Sequence, residues 1–227
     1  MVRILARATL ALILFFDPLF CNVFRYDITK GDVTKIVEWK IVETENERIH
    51  FRSQNEMENV SHSMTLAPDL ATISWSFISH IENIQYTVKR IDDKIVYSGQ
   101  IGDETLDKTE HVGDLPWHQI HGCSFPEFLK SGKQKIDFFS IRPEDGKLFK
   151  LVAQRKATEM IEVNGETCRA IRVHVHLPGL LSHMGGVNYW FREDDLVFVK
   201  YRGTSGFPGS DPIIYELAEI KAPEVES

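Results

Sequence analysis

Apolar and polar residues alternate with a period of two along most of this chain. In the first such run Val37, Trp39 and Ile41 fall on one face, and Glu38 and Lys40 fall on the other. This pattern is typical of a β-strand with one covered and one solvated face, as in an antiparallel sheet. The alternation recurs through the first half of the chain, at residues 48–52, 72–77, 84–89 and 95–101.

The second half continues as short strands joined by tight turns, most clearly from Met160 to Tyr215. Asn164-Gly165 predicts a type I′ hairpin turn, because both positions accept a positive φ. About a dozen strands at this spacing predict a sandwich, a barrel or a large curved sheet. The strands predicted in this half are 136–141, 148–153, 160–163, 170–177, 187–192, 196–201 and 213–217.

The segment 116–130 departs from this alternation. Ser124 is placed to cap a helix that has Pro126 in its first turn, and Gly132 is placed to end it. We therefore predict one or two short helices packed on the sheet. The apolar residues that recur here at roughly helical spacing are Trp117, Ile120, Phe125, Phe128 and Leu129.

Two predicted strands, at 189–191 and 196–199, are apolar on both faces, so a helix or a ligand is expected to cover them. The predicted fold is mainly β (α+β), with a large curved antiparallel sheet or incomplete barrel and one or two short helices packed on it. The aromatic residues expected to line a ligand cavity, or equally to fill the core, are Trp75, Phe77, Trp117, Phe125, Phe128, Trp190 and Phe198.

Residues 1–21 are typical of an export signal, although a buried hydrophobic N-terminus is the alternative. Arg3 and Arg7 precede the apolar run 8–16. That run is shorter than the about 20 apolar residues that span a bilayer. We predict a signal peptide at 1–21 and a single exported antiparallel β-domain at 22–227. After signal removal the chain is not expected to span a membrane. Association with a membrane surface is the only membrane contact that this prediction allows.

The cysteines leave two alternatives open. Cys21 follows the apolar run as a lipidated cysteine would, but Phe20 stands where a lipidation signal has Gly, Ala or Ser. Cys123 and Cys168 remain in the mature chain, where they form one disulfide or stay as two buried thiols.

Composition narrows the range of partners. Hydrophobic residues make up 43% and charged residues 26% of the 227 positions, an ordinary balance for a globular domain. The net charge is −7, and the basic residues are scattered. A nucleic-acid partner is therefore not expected, because it requires a clustered positive surface.

Signatures of catalysis and cofactor binding are missing from the sequence. It has no Gly-x-Ser-x-Gly and no phosphate-binding glycine loop. His174 and His176 share one face of a predicted strand, which suits zinc only if a third ligand converges. Arg172 lies on the same face as the two histidines, which favours a solvated polar face over a zinc site. We therefore expect no enzyme activity, no metal and no cofactor.

The second half resembles a group of exported bacterial domains of unknown function. The resemblance rests on the hairpin at 161–170 and on Tyr189-Trp190-Phe191-Arg192 with Val199-Lys200-Tyr201. More distantly, the chain resembles the outer-membrane lipoprotein carriers (LolA/LolB-like proteins). Together the two resemblances imply a location in the bacterial periplasm or envelope. The second also implies an apolar cavity between a curved sheet and short helices, and it supplies no catalytic residues.

The expected function is that of a non-enzymatic envelope protein that binds a lipophilic ligand in such a cavity, with a lipid, an acyl chain or a lipoprotein as partner. One alternative is an envelope scaffold or interaction module that holds no small ligand. Another is an unrecognised hydrolase or metalloenzyme.

Overall fold

The computed structural model describes residues 21–43, 49–55, 59–179, 185–204 and 211–221. The predicted signal at 1–21 thus lies outside the described residues, except for Cys21. The described part forms one antiparallel sheet of 14 strands and two short helices. The first eight strands are β1 (Cys21–Lys30), β2 (Val33–Glu43), β3 (Ile49–Asn55), β4 (Val60–Leu66), β5 (Thr72–Ser79), β6 (Ile84–Ile91), β7 (Lys94–Ile101) and β8 (Glu104–His111).

The helices come next and the other six strands follow them. These elements are α1 (His121–Ser124), α2 (Pro126–Lys130), β9 (Lys135–Ile141), β10 (Leu148–Val163), β11 (Glu166–His176), β12 (Val187–Arg192), β13 (Phe198–Thr204) and β14 (Pro212–Lys221).

The sheet is a meander whose first and last strands meet near its middle. Each strand from β1 to β8 pairs antiparallel with the next along the chain, and so does each strand from β9 to β14. β1 pairs with β14, which joins the two halves into one sheet with β8 and β9 at its edges. The chain crosses from one edge to the other through residues 112–134, which contain both helices.

The two edges approach each other without pairing, so the barrel is incomplete. The turn between β9 and β10 reaches across this gap. The Tyr86 hydroxyl donates to the Pro143 carbonyl oxygen at 2.9 Å, and the Lys108 ammonium donates to the Gly146 carbonyl oxygen at 3.0 Å. Because β6 and β9 stand near opposite ends of the strand order, these bonds require a strongly curled sheet. The predicted large curved sheet is confirmed.

The segment between the edges fills the inside of the curled sheet. The Phe139 amide donates to the Pro116 carbonyl oxygen at 2.8 Å, and the Thr72 amide donates to the Trp117 carbonyl oxygen at 2.7 Å. Residues 116–118 are thereby held between β9 and β5. Trp117, which they carry inward, is fully buried.

The predicted short helices are present and pack on the inner face of the sheet. Pro126 begins α2 as predicted, and Gly132, with a φ of +70°, follows its last turn. The prediction that Ser124 caps this helix is wrong, because Phe125 occupies the N-cap position without a side-chain hydrogen bond. Ser124 instead ends α1 and is fully buried.

The ribbon of β10 and β11 covers the outer face of the sheet around Trp190. It ends in the predicted Asn164-Gly165 turn, whose φ angles are +49° and +81°. Three strands separate β10 from β14, yet the side-chain amide of Asn164 (Nδ2) donates to the Leu217 carbonyl oxygen at 2.8 Å. The ribbon tip therefore folds back over the outside of the sheet. The outer cluster formed there consists of Val163, Ala170, Trp190 and Val199.

This arrangement corrects one expectation. Trp190 lies in a strand with two apolar faces, and a helix or a ligand was expected to cover it. On the outer face the cover is the chain's own hairpin, and the Trp190 indole N–H donates to the Glu159 carboxylate at 2.6 Å.

Candidate functional site

A cavity of about 350 Å³, here called the inner chamber, lies between α1 and the inner face of the central strands. This volume is within the range of small-molecule sites, about 300–1,000 Å³. None of its described lining residues is Asp, Glu, Lys or Arg. Its walls combine apolar side chains with uncharged polar ones, among them Ile28, Val37, Trp39, Phe198, His62, His121, Tyr189 and Tyr201.

A second cavity of about 800 Å³, here called the outer cavity, adjoins the inner chamber. The outer cavity also borders Lys30, Lys35, Glu82 and Glu144. The site therefore combines a space with uncharged walls and an adjoining space with charged residues around it, which suits a molecule with one apolar and one polar end. The residues that line both spaces, here called the junction, are Ile28, Val60, His62, Pro143, Ile213 and Tyr215.

Gly122 lets α1 sit directly on the aromatic floor of the inner chamber. The rings of Trp39 and Phe198 stack there, with centroids 5.4 Å apart and planes 13° apart. A Cβ atom at position 122 would come within 2.8 Å of the Phe198 ring and 2.9 Å of Trp39. Glycine is required because any side chain would lift the helix away from the sheet.

His121 joins α1 to two strands. Its Nδ1 lies 2.9 Å from the Tyr189 hydroxyl, and its Nε2 lies 3.2 Å from the Ser140 hydroxyl. Burial lowers the pKa of His121 to about 3, so the ring is neutral at physiological pH. Ser140 is buried and lines neither cavity. His121 thereby links Tyr189 on β12 to Ser140 on β9.

His62 stands at the junction with one nitrogen occupied. Its ring stacks with Trp75 and lies tilted against Phe77, and its Nδ1 lies 3.3 Å from the Trp75 indole nitrogen. An indole N–H can only donate, so Nδ1 accepts and the proton of the neutral ring is on Nε2. Burial lowers the pKa of His62 to about 4, which keeps the ring neutral.

Three tyrosines form a row on adjacent strands beside the inner chamber. The ring centroids of Tyr189 and Tyr201 are 5.0 Å apart, and those of Tyr201 and Tyr215 are 5.4 Å apart. Burial raises the pKa of Tyr201 to about 12, so its hydroxyl remains protonated. Gly203 makes room for this ring, because a Cβ there would lie 2.1 Å from the Tyr201 hydroxyl oxygen.

Two of the seven aromatic residues expected to line a ligand cavity border the cavities. Phe198 lines the inner chamber, and Phe77 lines the outer cavity. The other five are packed elsewhere: in the main core Trp75, Trp117, Phe125 and Phe128, and in the outer cluster Trp190.

The histidine pair on β11 lies on the outer face, away from the inner chamber. His174 Nδ1 lies 3.1 Å from the Asn188 amide oxygen, and His176 Nδ1 donates to the Leu177 carbonyl oxygen at 2.8 Å. No third His, Cys, Asp or Glu completes a metal cluster with them among the described residues. The described helices are also too short to cross a membrane, since α2 has only five residues.

The two cysteines of the predicted mature domain are free thiols. Cys123 is buried in the main core, whereas Cys168 packs against the outer cluster. The sheet stands between them, so they are unpaired, but only Cys123 is buried, whereas Cys168 is half-buried.

Comparisons with known proteins bear on the fold. No known family profile matches the sequence, and no curated protein matches it significantly. A protein of the DUF1329 family from Desulfovibrio piger aligns over 93% of this chain and 89% of its own at 10% identity. Its TM-score of 0.24 is too low to indicate a shared fold.

A solved structure from Brucella abortus is more informative. It is a β-barrel-like protein of the domain of unknown function DUF1849, and it aligns with a TM-score of 0.57 over 91% of this chain and 99% of its own. The identity is 8%, so the likeness concerns the fold alone. In its fold, this chain is similar to a β-barrel-like domain of unknown function.

Proposed function

We propose that this chain is a non-enzymatic binding protein that holds the apolar part of a lipophilic ligand in the inner chamber. One observation carries the proposal: a chamber of about 350 Å³ whose described walls bear no formal charge continues into a charged outer cavity. Burial of apolar surface favours binding by about 25 cal/mol per Å². A ligand with an apolar end therefore gains free energy by entering the chamber.

The sheet edges give less support to the alternative of a scaffold that binds partners by strand addition. β8 carries Glu104, Asp107, Lys108 and Glu110, and charged side chains on an edge strand oppose pairing with another chain. The β9 edge is already partly used, because Trp117 bridges to Phe139.

Export to the bacterial envelope is part of the proposal, and it rests on the sequence of residues 1–21. N-terminal sequencing of the protein isolated from a periplasmic fraction is the test. A mature N-terminus near Cys21 or Asn22 is expected. Recovery of the intact chain from the cytoplasm alone would contradict export, and it would leave the binding proposal to be decided by the titration that follows.

Filling the junction should block ligand entry. Ile28 is half-buried on the inner face of β1 and borders both cavities. In Ile28→Trp the indole ring, which is larger than the isoleucine side chain, occupies the space where the cavities meet. We expect the affinity for N-phenyl-1-naphthylamine, an uncharged fluorescent probe, to fall about tenfold or more, equivalent to about 1.4 kcal/mol. Fluorescence titration measures this.

The matched control is Ile36→Trp, the same substitution on the neighbouring strand β2. Ile36 is 52% exposed and borders neither cavity. This variant should bind the probe like the wild type. Equal affinities in both variants, or no saturable binding to the wild-type protein, would refute the proposed site.

A further inference from the structure

The imidazole of His62 offers an unused hydrogen-bond donor at the junction. Nδ1 accepts from Trp75, so Nε2 carries the proton. Nε2 has no hydrogen-bond partner among the described residues. Nε2 is not fully enclosed, and His62 lines both cavities, so this N–H can face the space where they meet. A donor in this position needs an acceptor atom from whatever fills the cavity.

The surroundings of His62 specify the charge of that acceptor. Ile28, Val60 and Ile213 are apolar neighbours at the junction, and no described residue lining the inner chamber is cationic. A carboxylate drawn into the inner chamber beside His62 would lose water without a cationic side chain in that chamber's described lining, which is unfavourable. A carbonyl oxygen accepts the same hydrogen bond without bringing a charge inside. Lys30 and Lys35 border only the outer cavity.

The size of the inner chamber limits the apolar part of the ligand. A volume of about 350 Å³ lies near the lower end of the range of small-molecule sites, about 300–1,000 Å³. An alkyl chain of medium length, about ten carbons, is therefore the apolar part chosen for this space. Such a chain would extend from the junction towards Trp39 and Phe198 on the chamber floor.

We infer that the ligand is a fatty acyl group joined to a polar head through an uncharged carbonyl, as in an ester or an amide, and that His62 Nε2–H binds that carbonyl. The inference rests on the proposed function and names the ligand class for the same site. The acyl chain lies in the inner chamber and the head in the outer cavity. His62 thereby selects esters and amides over free fatty acids.

Four ten-carbon amphiphiles test this by isothermal titration calorimetry. Monodecanoyl glycerol carries an ester, and N-decanoyl-N-methylglucamine carries an amide. Decyl glyceryl ether lacks the carbonyl, and decanoate carries a charge. We expect the ester and the amide to bind the wild-type protein more tightly than decanoate. If only one of the two carbonyl compounds does so, that result identifies the source of the acyl group.

Two substitutions of His62 separate the hydrogen bond from packing. His62→Phe keeps an aromatic ring but loses the donor, and it should weaken binding of the ester and amide about 3- to 10-fold while changing ether binding less than about twofold. His62→Gln offers an amide N–H and an acceptor for Trp75, and it should restore most of the loss. Thermal unfolding of both variants verifies that they are folded.

The possible failures are distinguishable. If no amphiphile and no uncharged probe binds the wild-type protein, the proposed function fails and the inference fails with it. If the ether and the probe bind but His62→Phe weakens ester and ether equally, or decanoate binds as tightly as the ester, the inference alone is overturned.

Discussion

Replacing Phe125 with alanine is expected to lower the free energy of unfolding by about 3–5 kcal/mol, the usual result for a fully buried phenylalanine. Phe125 has no exposed surface and lies between α1 and the sheet. Its ring stacks on His121, with centroids 5.1 Å apart and planes 11° apart, and meets Phe138 edge-on at 5.5 Å. The cavity left by its removal would also loosen α1 above the inner chamber. Urea denaturation measures the change in unfolding free energy.

Phe149→Ala is the matched control. Phe149 is half-buried on β10, outside both buried clusters, and the Arg142 guanidinium lies 5.3 Å from its ring centroid. A cation–π contact at such a site contributes about 0.5–1 kcal/mol. The control should therefore be clearly milder than Phe125→Ala. Equal losses would contradict the assignment of Phe125 to the centre of the core.

Replacing Gly99 with alanine should lower the free energy of unfolding about as much as Phe125→Ala does, because backbone atoms occupy the space of the new methyl group. Gly99 lies on β7 opposite Tyr86 and has a φ of +148°. A Cβ there would lie 2.3 Å from the Gln85 carbonyl oxygen and 2.5 Å from the Tyr86 Cα. Overpacking costs about 1–3 kcal/mol and backbone strain about another 1–3 kcal/mol, so a loss of about 2–6 kcal/mol is expected.

The collision at Gly99 should also affect the hydrogen bonds by which the turn between β9 and β10 reaches across the gap in the curled sheet. Tyr86 would have to move, and its hydroxyl holds the Pro143 carbonyl oxygen at 2.9 Å. Faster amide hydrogen exchange in the turn between β9 and β10 would report this. Gly102→Ala is the control, since its φ is +59° but no atom lies within 4 Å of the added Cβ. This control should lower the free energy of unfolding by only about 1–2 kcal/mol, the usual cost of a left-handed backbone conformation for a residue with a side chain. Similar losses in both variants would argue against the collision.

The strands that the sequence predicts correctly are those with a regular apolar face. Two strands that it does not predict, β4 and β8, lack such a face. β4 has Val60, Met64 and Leu66 on its inner face, but His62 interrupts the apolar series. β8 is an edge strand with a single aliphatic residue, Leu106, because one of its sides is unpaired. A period-two pattern is weakest where a polar residue faces inward or a strand has few partners.

Long-range relations could not be read from local pattern. β1 begins at Cys21, where the predicted signal ends, and nothing in its sequence indicates that it pairs with the last strand. The return of the Asn164 tip onto Leu217 depends on a bend in a ribbon that the sequence divides into separate strands. Both features follow from packing between segments far apart in the chain.

The candidate site illustrates the same limit. Aromatic residues were expected to line a cavity, but burial alone does not separate cavity walls from the filled core, and most of the expected residues lie in the core. The polar side chains that line the inner chamber include His62, His121 and Tyr201, none of which the sequence singled out as a lining residue. His62 escaped notice together with β4, because a histidine at an inward position interrupts the apolar series that marks a strand.

Native mass spectrometry of the wild-type protein purified from its own host tests the central claim most directly. The account predicts a bound small molecule that organic extraction identifies as a lipid with an acyl chain, and it predicts that Ile28→Trp purified in parallel lacks this mass. Wild-type protein that is repeatedly free of any bound mass, and that takes up no N-phenyl-1-naphthylamine, would contradict it.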